Sequence, residues 1–404
     1  MKKILPCILI GAAAASCNHD VDMVNLGIDD VYYIARMSKL PLHPALTGTA
    51  YRWSVDGTEV STERDYIFLA REEGTYMLKL EIIDPETPYT FDFEVNVLHE
   101  EVEYSPYISR VLEYCPAPGQ FVNEMPKYEP GDTYADILQK TEECISGTND
   151  VMITLGACGG YVTFAFDHTV INVPGEYDLR IWGNCFYELT DPSRKGGSCE
   201  PGIVEVSFDA NCNGVPDDPW YELAGSDYNN RDTKHNYTIT YSRPLPDREP
   251  IESEDGNLDD MEYIAWRDNL GEKGYVAKNI FHSQPYYPQW IEEDEISFTG
   301  TCLPPNGVDL SGTGRYYVLY SYEWGYVDNH PNELADLNSF KIDWAVDRDG
   351  TPVKLPGADF VRVRTGINQY CGWLGETSTE IARAADLHIP VKSNMPEDPI
   401  KDQN

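Results

Sequence analysis

One run of this chain, Asp209-Ala-Asn211-Cys-Asn213-Gly214-Val215-Pro-Asp217-Asp218, sets oxygen-bearing side chains at alternate positions ahead of a glycine. That spacing lets Asp209, Asn211 and Asn213 wrap a hard cation, with the Val215 carbonyl in reach and Asp217 bound directly or through water. Calcium is the natural ion, in a structural role. The twelfth position is Trp220 rather than a bidentate glutamate, so Glu222 or Asp218 has to complete the shell. The same residues also suit an Asx-rich turn held by side-chain-to-backbone bonds. Asp343, Asp347 and Asp349-Gly350 form a second acidic group, which reads as a charged hairpin turn.

Ring-bearing side chains gather in three further places. His282-Ser-Gln-Pro-Tyr286-Tyr287-Pro-Gln-Trp290 puts three large rings and an imidazole around two prolines, where a regular sheet is not expected. Trp324-Gly-Tyr326-Val-Asp328-Asn329-His330 repeats this chemistry after the strand-like YYVLYSY, and Gln369-Tyr370-Cys371-Gly-Trp373 adds a third set. A flat apolar ligand can stack on such rings, but loop aromatics folded onto a sandwich flank have the same look.

Other chemistry is scarce. There is no G-x-S-x-G elbow, no H-E-x-x-H pair and no glycine-rich phosphate loop, and the histidines are scattered. Paired carboxylates for glycoside cleavage stay open, because 68 acidic residues guarantee accidental pairs. A net charge of -38, with no basic run to offset it, argues against nucleic acid and anionic membrane surfaces. Binding without catalysis is therefore the expectation. Setting Cys7 and Cys17 aside, eight cysteines remain, enough for four disulfides, with no C-x-x-C or zinc-finger spacing and no pairing legible from position.

The elements that must hold these groups are mostly strands. Residues 1–16, MKKILPCILIGAAAAS, carry two lysines, an apolar run too short to span a membrane, and small residues before Cys17. Ala14-Ala15-Ser16-Cys17 resembles a bacterial lipobox, which implies cleavage before Cys17, its lipidation, and a tether over residues 17–24. From residue 25 to 98, Phe91, Phe93, Val95 and Val97 alternate, as do Tyr76, Leu78, Leu80 and Ile82, with Trp53 ahead of an Asp56-Gly57 turn. YRWSVDG, EEGTYMLKLEIID and FDFEVNV resemble the PKD-like, immunoglobulin-type modules of bacterial surface proteins, with Trp53 and Tyr76 read as core rings. The acidic, proline-ended stretch at 99–106 suits a junction.

Residues 106–390 then behave as one large unit, followed by a tail, 391–404. A single helix is expected in DTYADILQKTEECISG, with Asp132 or Thr133 as N-cap, Ile137, Leu138 and Ile145 on one face, and Gly147 as the stop. Strands are expected at 151–155, 161–166, 177–182, 203–208, 237–241, 316–322, 340–346 and 360–363, with long loops, above all between Arg243 and Thr301. The fold class is all-β: an N-terminal immunoglobulin-like sandwich and a larger jelly-roll sandwich with long loops and one short helix.

The segments PAPGQFVNEMPKYEPGDTY, GGYVTFAFDHTVINVPGEYDLRIWGN, EPGIVEVSFDANCNGVPDDPWYELAGS, VDNHPN and FKIDWAVDRDGTPVKLPGADFVRVRTGINQYCGWLGETSTE cover most of residues 106–388. Together they resemble a family of Bacteroidetes surface lipoproteins similar to the BtuH group, accessory cobalamin-binding lipoproteins encoded beside TonB-dependent uptake receptors. The resemblance implies an outer-membrane, cell-surface lipoprotein that binds cobalamin or a related cobamide. Its partners would be a TonB-dependent receptor and other surface lipoproteins, and its only membrane contact the lipid anchor. His282 or His330 could then meet cobalt, and the three ring sets, with Asp328, Asn329 and Trp373 among them, would offer stacking and amide partners. A surface glycan-binding lipoprotein of a polysaccharide-utilisation system is the competing expectation.

Overall fold

The computed structural model describes residues 26–149, 151–188, 193 and 195–391. The leader, Cys17 and most of the expected tail lie outside them. Among the described residues no helix is long and apolar enough to cross a membrane.

The chain is all-β, with one α-helix among the described residues. It groups into a smaller unit, drawn from sequence before Val95, and a larger one that takes Val95 onward together with Tyr33–Leu40 and Ile67–Tyr76. The early sequence forms a five-stranded sheet in the order Val31–Ala35, Tyr89–Leu98, Gly74–Ile83, Ala50–Val55, Thr58–Ser61. Its alternation is the one written in the sequence: Leu78, Leu80, Ile82, Phe93, Val95 and Val97 are all buried. Trp53 is wholly enclosed, and its indole N–H donates to the carbonyls of Glu63 at 3.0 Å and Arg64 at 3.2 Å. It is a core ring with its one polar atom satisfied.

In the larger unit a six-stranded sheet runs Ala345–Val346, Trp220–Leu223, Gly202–Ser207, Gly357–Thr365, Tyr161–Ile171, Arg110–Cys115, with antiparallel neighbours. Val162, Phe164, Val204, Val206, Val361 and Val363 turn one face into the main core, where Ile137 and Ile145 of the helix Tyr134–Ile145 meet them. Thr133 caps this helix: its hydroxyl accepts the Asp136 amide while Asp136 accepts the Thr133 amide. Thr141 is buried beside the expected Ile137 and Ile145, and Ser146 is the C-cap, with Gly147 following at φ +63°.

The opposite face of that sheet is charged. Cross-strand register aligns Glu222, Glu205, Arg362, Thr163 and Glu113 in one row over five strands. The Arg362 guanidinium lies 4.0 Å from the Trp220 ring centroid and 4.7 Å from that of Tyr161, and its terminal nitrogen donates to Glu113 at 2.8 Å.

The stretch from Arg243 to Thr301, expected to be mainly loop, holds three strands. Leu258–Asp268, Lys273–Asn279 and Glu295–Cys302 join Lys234–Ser242 in a four-stranded antiparallel sheet. Its signal was masked because the pairing of Leu258–Asp268 with Lys273–Asn279 is broken twice by irregular register, which scrambles the period of two. Elsewhere the expected strands are found with shifted ends, such as Tyr161–Ile171 and Gly357–Thr365. The 340–346 run divides into Ser339–Phe340 and Ala345–Val346 around a single 3-10 turn, Ile342–Trp344.

Candidate functional site

The ring sets read from sequence do not converge on one surface. Tyr286 and Tyr287 are fully buried: the Tyr286 hydroxyl accepts the Asn279 amide at 3.2 Å, and that of Tyr287 donates to the Glu293 carbonyl at 2.8 Å. Trp290 stacks on Tyr114, 6.0 Å between centroids, at the edge of the main core. His282 is half-buried, edge-on to Phe121 at 4.8 Å, and burial lowers its pKa. The segment is irregular, as its prolines imply, and is pinned by Asn123, whose Nδ2 donates to Pro285 O at 2.7 Å and to Tyr287 O at 3.1 Å.

The second set is likewise structural. Trp324 packs on Trp344 at 4.7 Å, and the buried Tyr326 hydroxyl accepts the Asp227 amide. Asn329 spans the Tyr322 amide and carbonyl, at 2.8 and 3.1 Å. Asp328 Oδ1 accepts the amides of Asn184 and Cys185 at 2.7 Å each, and Oδ2 accepts that of Glu380 at 3.0 Å. His330 lies between the Tyr187 hydroxyl, 2.6 Å from Nδ1, and the Glu323 carbonyl, 3.2 Å from Nε2. Burial pushes its pKa down to about 4. A neutral imidazole with Nε2–H donating and Nδ1 accepting satisfies both contacts, which leaves neither nitrogen for cobalt.

The third set does reach a cavity. Tyr370 lines a recess of about 550 Å³, the volume of a small-ligand site. The hairpin of Leu258–Asp268 and Lys273–Asn279 supplies Trp266 and Tyr275 to it. Trp266 stands opposite Gly274, where an added Cβ would meet the indole at 2.6 Å, so the glycine lets the ring lie on its neighbouring strand. Tyr275 and Tyr370 are both more than two-fifths exposed. Asn368 donates to the Tyr237 hydroxyl at 2.9 Å, and Gln369 is held at Asn306, Gly307 and Thr377, which fixes the segment that carries Tyr370.

Glu376 belongs to the wall of this recess. It is buried, its Oε1 accepts the Gln120 amide at 2.6 Å, and its Oε2 has no protein hydrogen-bond partner. Burial pushes its pKa up to about 8, so at neutral pH it is an acid with an O–H to donate. Trp373, on the same loop, is partly exposed beside Phe281, Arg315, Asp255 and Asn257 around a separate cavity of about 380 Å³. Sequence reasoning had singled out the loop but not Trp266, Tyr275 or Glu376. The Trp266 and Gly274 pairing across a hairpin was the readable cue, had the hairpin been recognised.

The cation-like loop keeps its residues together without Glu222. Asp209 accepts the Asn213 amide on Oδ1 at 3.0 Å and the Gly214 amide on Oδ2 at 2.9 Å, and Asn213 Oδ1 accepts the Val215 amide at 2.7 Å. Asn211 and Asn213 donate to Asp217, and Asn211 also to Asp218. Crowding shows at Asp218, whose pKa is raised by burial and by the charges of Asp209 and Asp217. Glu222 lies opposite Glu205, well along the strands from Asp209, and accepts the Thr301 hydroxyl instead. It does not belong to this loop, whereas Asp218 does, through Asn211. Glu222 lines a recess of about 280 Å³ on the charged face, where burial raises its pKa to about 7. Carboxylate oxygens of Glu200, Asp328 and Glu380 lie within 4.8 Å of one another; burial raises all three pKa values, and the Glu200 charge adds to the rise at Asp328 and Glu380.

No protein-family model matches the chain, and no curated protein does. Among solved structures it is similar to a SusE-like protein, at 8% identity and a TM-score of 0.25, covering 88% of this chain and 95% of the other. It is also similar to a structure titled for carbohydrate-binding modules of the β-sandwich superfamily, at 11% identity and a TM-score of 0.14, covering 86% and 92%. Overlaps this weak leave ligand and activity to the residues themselves.

Proposed function

We propose that this is a non-catalytic ligand-binding lipoprotein of the bacterial outer surface, and that the Trp266, Tyr275 and Tyr370 recess takes a segment of glycan. One observation carries the reading: the exposed rings of Tyr275 and Tyr370 and the half-exposed ring of Trp266 line one recess of ligand size, with Asn368, Gln369 and Thr377 beside them. Sugar rings offer C–H faces to aromatic planes, and their hydroxyls can pair with polar side chains of the lining such as Lys234, Asp268 and Glu272. The lipobox-like leader supports surface tethering.

Cobalamin is the second reading. The sequence resemblance over residues 106–388 favours it, and its amide arms could pair with the polar side chains of the same recess, with handover to a TonB-dependent receptor. Coordination by His330 has no part in that reading. The Asp209 loop is proposed as a structural calcium site, supported by the like-charge crowding at Asp218. Calorimetric titration of the chain lacking residues 1–17 with an oligosaccharide panel and with cyanocobalamin tests the assignment. Saturable binding of a glycan and indifference to cyanocobalamin are expected; the reverse result replaces the first reading with the second.

A further inference from the structure

Cys185 and Cys199 face each other just beyond a short antiparallel ladder. Phe186 pairs with Ser198 and Tyr187 with Gly197, and the Glu188 amide donates to the Gly196 carbonyl at 2.8 Å. Hydrogen-bonded pairs therefore fall at 188 with 196 and 186 with 198. Continuing the register puts Cys185 opposite Cys199 at a non-hydrogen-bonded position, the closer of the two antiparallel spacings, with Cα atoms roughly 4.5 Å apart. That lies within the span of a disulfide.

The sulfurs are already close, with 3.4 Å between the two Sγ atoms. Both side chains are buried in a small cluster with Leu319 and Cys371. Their backbones are pinned from both sides: Asp328 accepts the Cys185 amide at 2.7 Å, and Asn306 Nδ2 donates to the Cys199 carbonyl at 2.8 Å. Closing to a bond requires the sulfurs to approach by about 1.4 Å, within reach of side-chain rotation alone. An exported chain, as the leader implies, meets an oxidising compartment.

We propose that the exported protein carries a disulfide between Cys185 and Cys199. The oxidant is an external disulfide, either a small molecule or a dithiol oxidase of the compartment. One protein thiolate attacks a sulfur of that disulfide and expels a thiolate, leaving a mixed disulfide. The second protein thiolate then attacks the protein sulfur of the mixed disulfide and expels the other thiolate. Two protein thiols are oxidised, the external disulfide is reduced to two thiols, and the two protons given up by the protein pass to them. Because both thiols are enclosed in the folded chain, the exchange belongs to folding, before the cluster closes. The bond ties the ends of the segment between residues 185 and 199 and holds Cys199 beside Glu200.

The test is peptide mapping of the full chain produced by export, denatured in excess iodoacetamide without reductant and digested with trypsin. Cleavage after Lys195 places the two cysteines on different peptides. The expected result is one cross-linked species that separates on reduction, whose fragment spectrum leaves Cys212, on the same tryptic peptide as Cys199, carbamidomethylated. Reduced, denatured chain refolded with oxidised glutathione should regain the same species, and refolding in excess dithiothreitol should not give it. Recovery of both cysteines alkylated, or either one linked to Cys371 or another partner, overturns the proposal.

Discussion

Glu376 holds a proton because burial disfavours its charge: one oxygen takes a backbone amide and the other, enclosed, has no protein partner. With its pKa raised to about 8, binding in the recess whose wall holds this neutral acid should be strong on the acid side and weaken as pH rises through about 8. Glu376→Gln keeps a donor without a titrating proton, so it should bind at neutral pH and lose that fall, as titrations between about pH 6 and 9 would show. A variant that retains the wild-type pH profile would remove Glu376 from recognition. Residues of this kind were hard to read in advance. The rings of Tyr286, Tyr287 and Tyr326, among prolines and glycines, suited an open stacking face and a packed flank equally, and the fold encloses each and satisfies its hydroxyl. Composition marks a ring as able to stack, and only packing decides whether a face is left open.

At the scale of elements, strand alternation and helix capping were legible because each is a local rule. Leu78, Leu80 and Ile82 on one face, and the Thr133 cap with Ile137 and Ile145 below it, needed no knowledge of partners. The hairpin that presents Trp266 and Tyr275 was missed because its irregular register interrupts the alternation. For the Asp209 loop, spacing correctly brought Asp209, Asn211, Asn213 and Asp217 together but could not place Glu222, whose position depends on pairing with Glu205. If the loop holds calcium, chelation should lower the melting temperature and added calcium restore it, since an ion that binds only the folded state stabilises it by mass action. Asp209→Asn should abolish the response. A wild-type melting curve indifferent to chelator and calcium would make the loop an Asx turn alone.

The whole molecule joins a net charge of -38 to a close set of acids, the buried Asp328 and Glu380 with the half-buried Glu200, and to the enclosed Glu376. Their folded pKa values lie above the ordinary carboxylate range, so between that range and the raised values the native chain binds more protons than the unfolded one. Their stabilisation is complete below the unfolded pKa values and is lost as pH rises through the folded ones. The melting temperature should therefore be higher near pH 5 than near pH 8. General charge repulsion has the same sign, so the discriminating variant is Glu380→Gln, which should flatten the slope. An unchanged slope would count against the buried acids as its source. The central claim remains the recess at Trp266, and the most direct measurement is calorimetry of the wild-type chain and Trp266→Ala against the oligosaccharide panel. The account predicts saturable one-to-one binding that weakens at least about tenfold in the variant while its melting curve stays cooperative. It would be contradicted by a folded wild-type chain that binds no glycan, or by a variant that binds as tightly as the wild type.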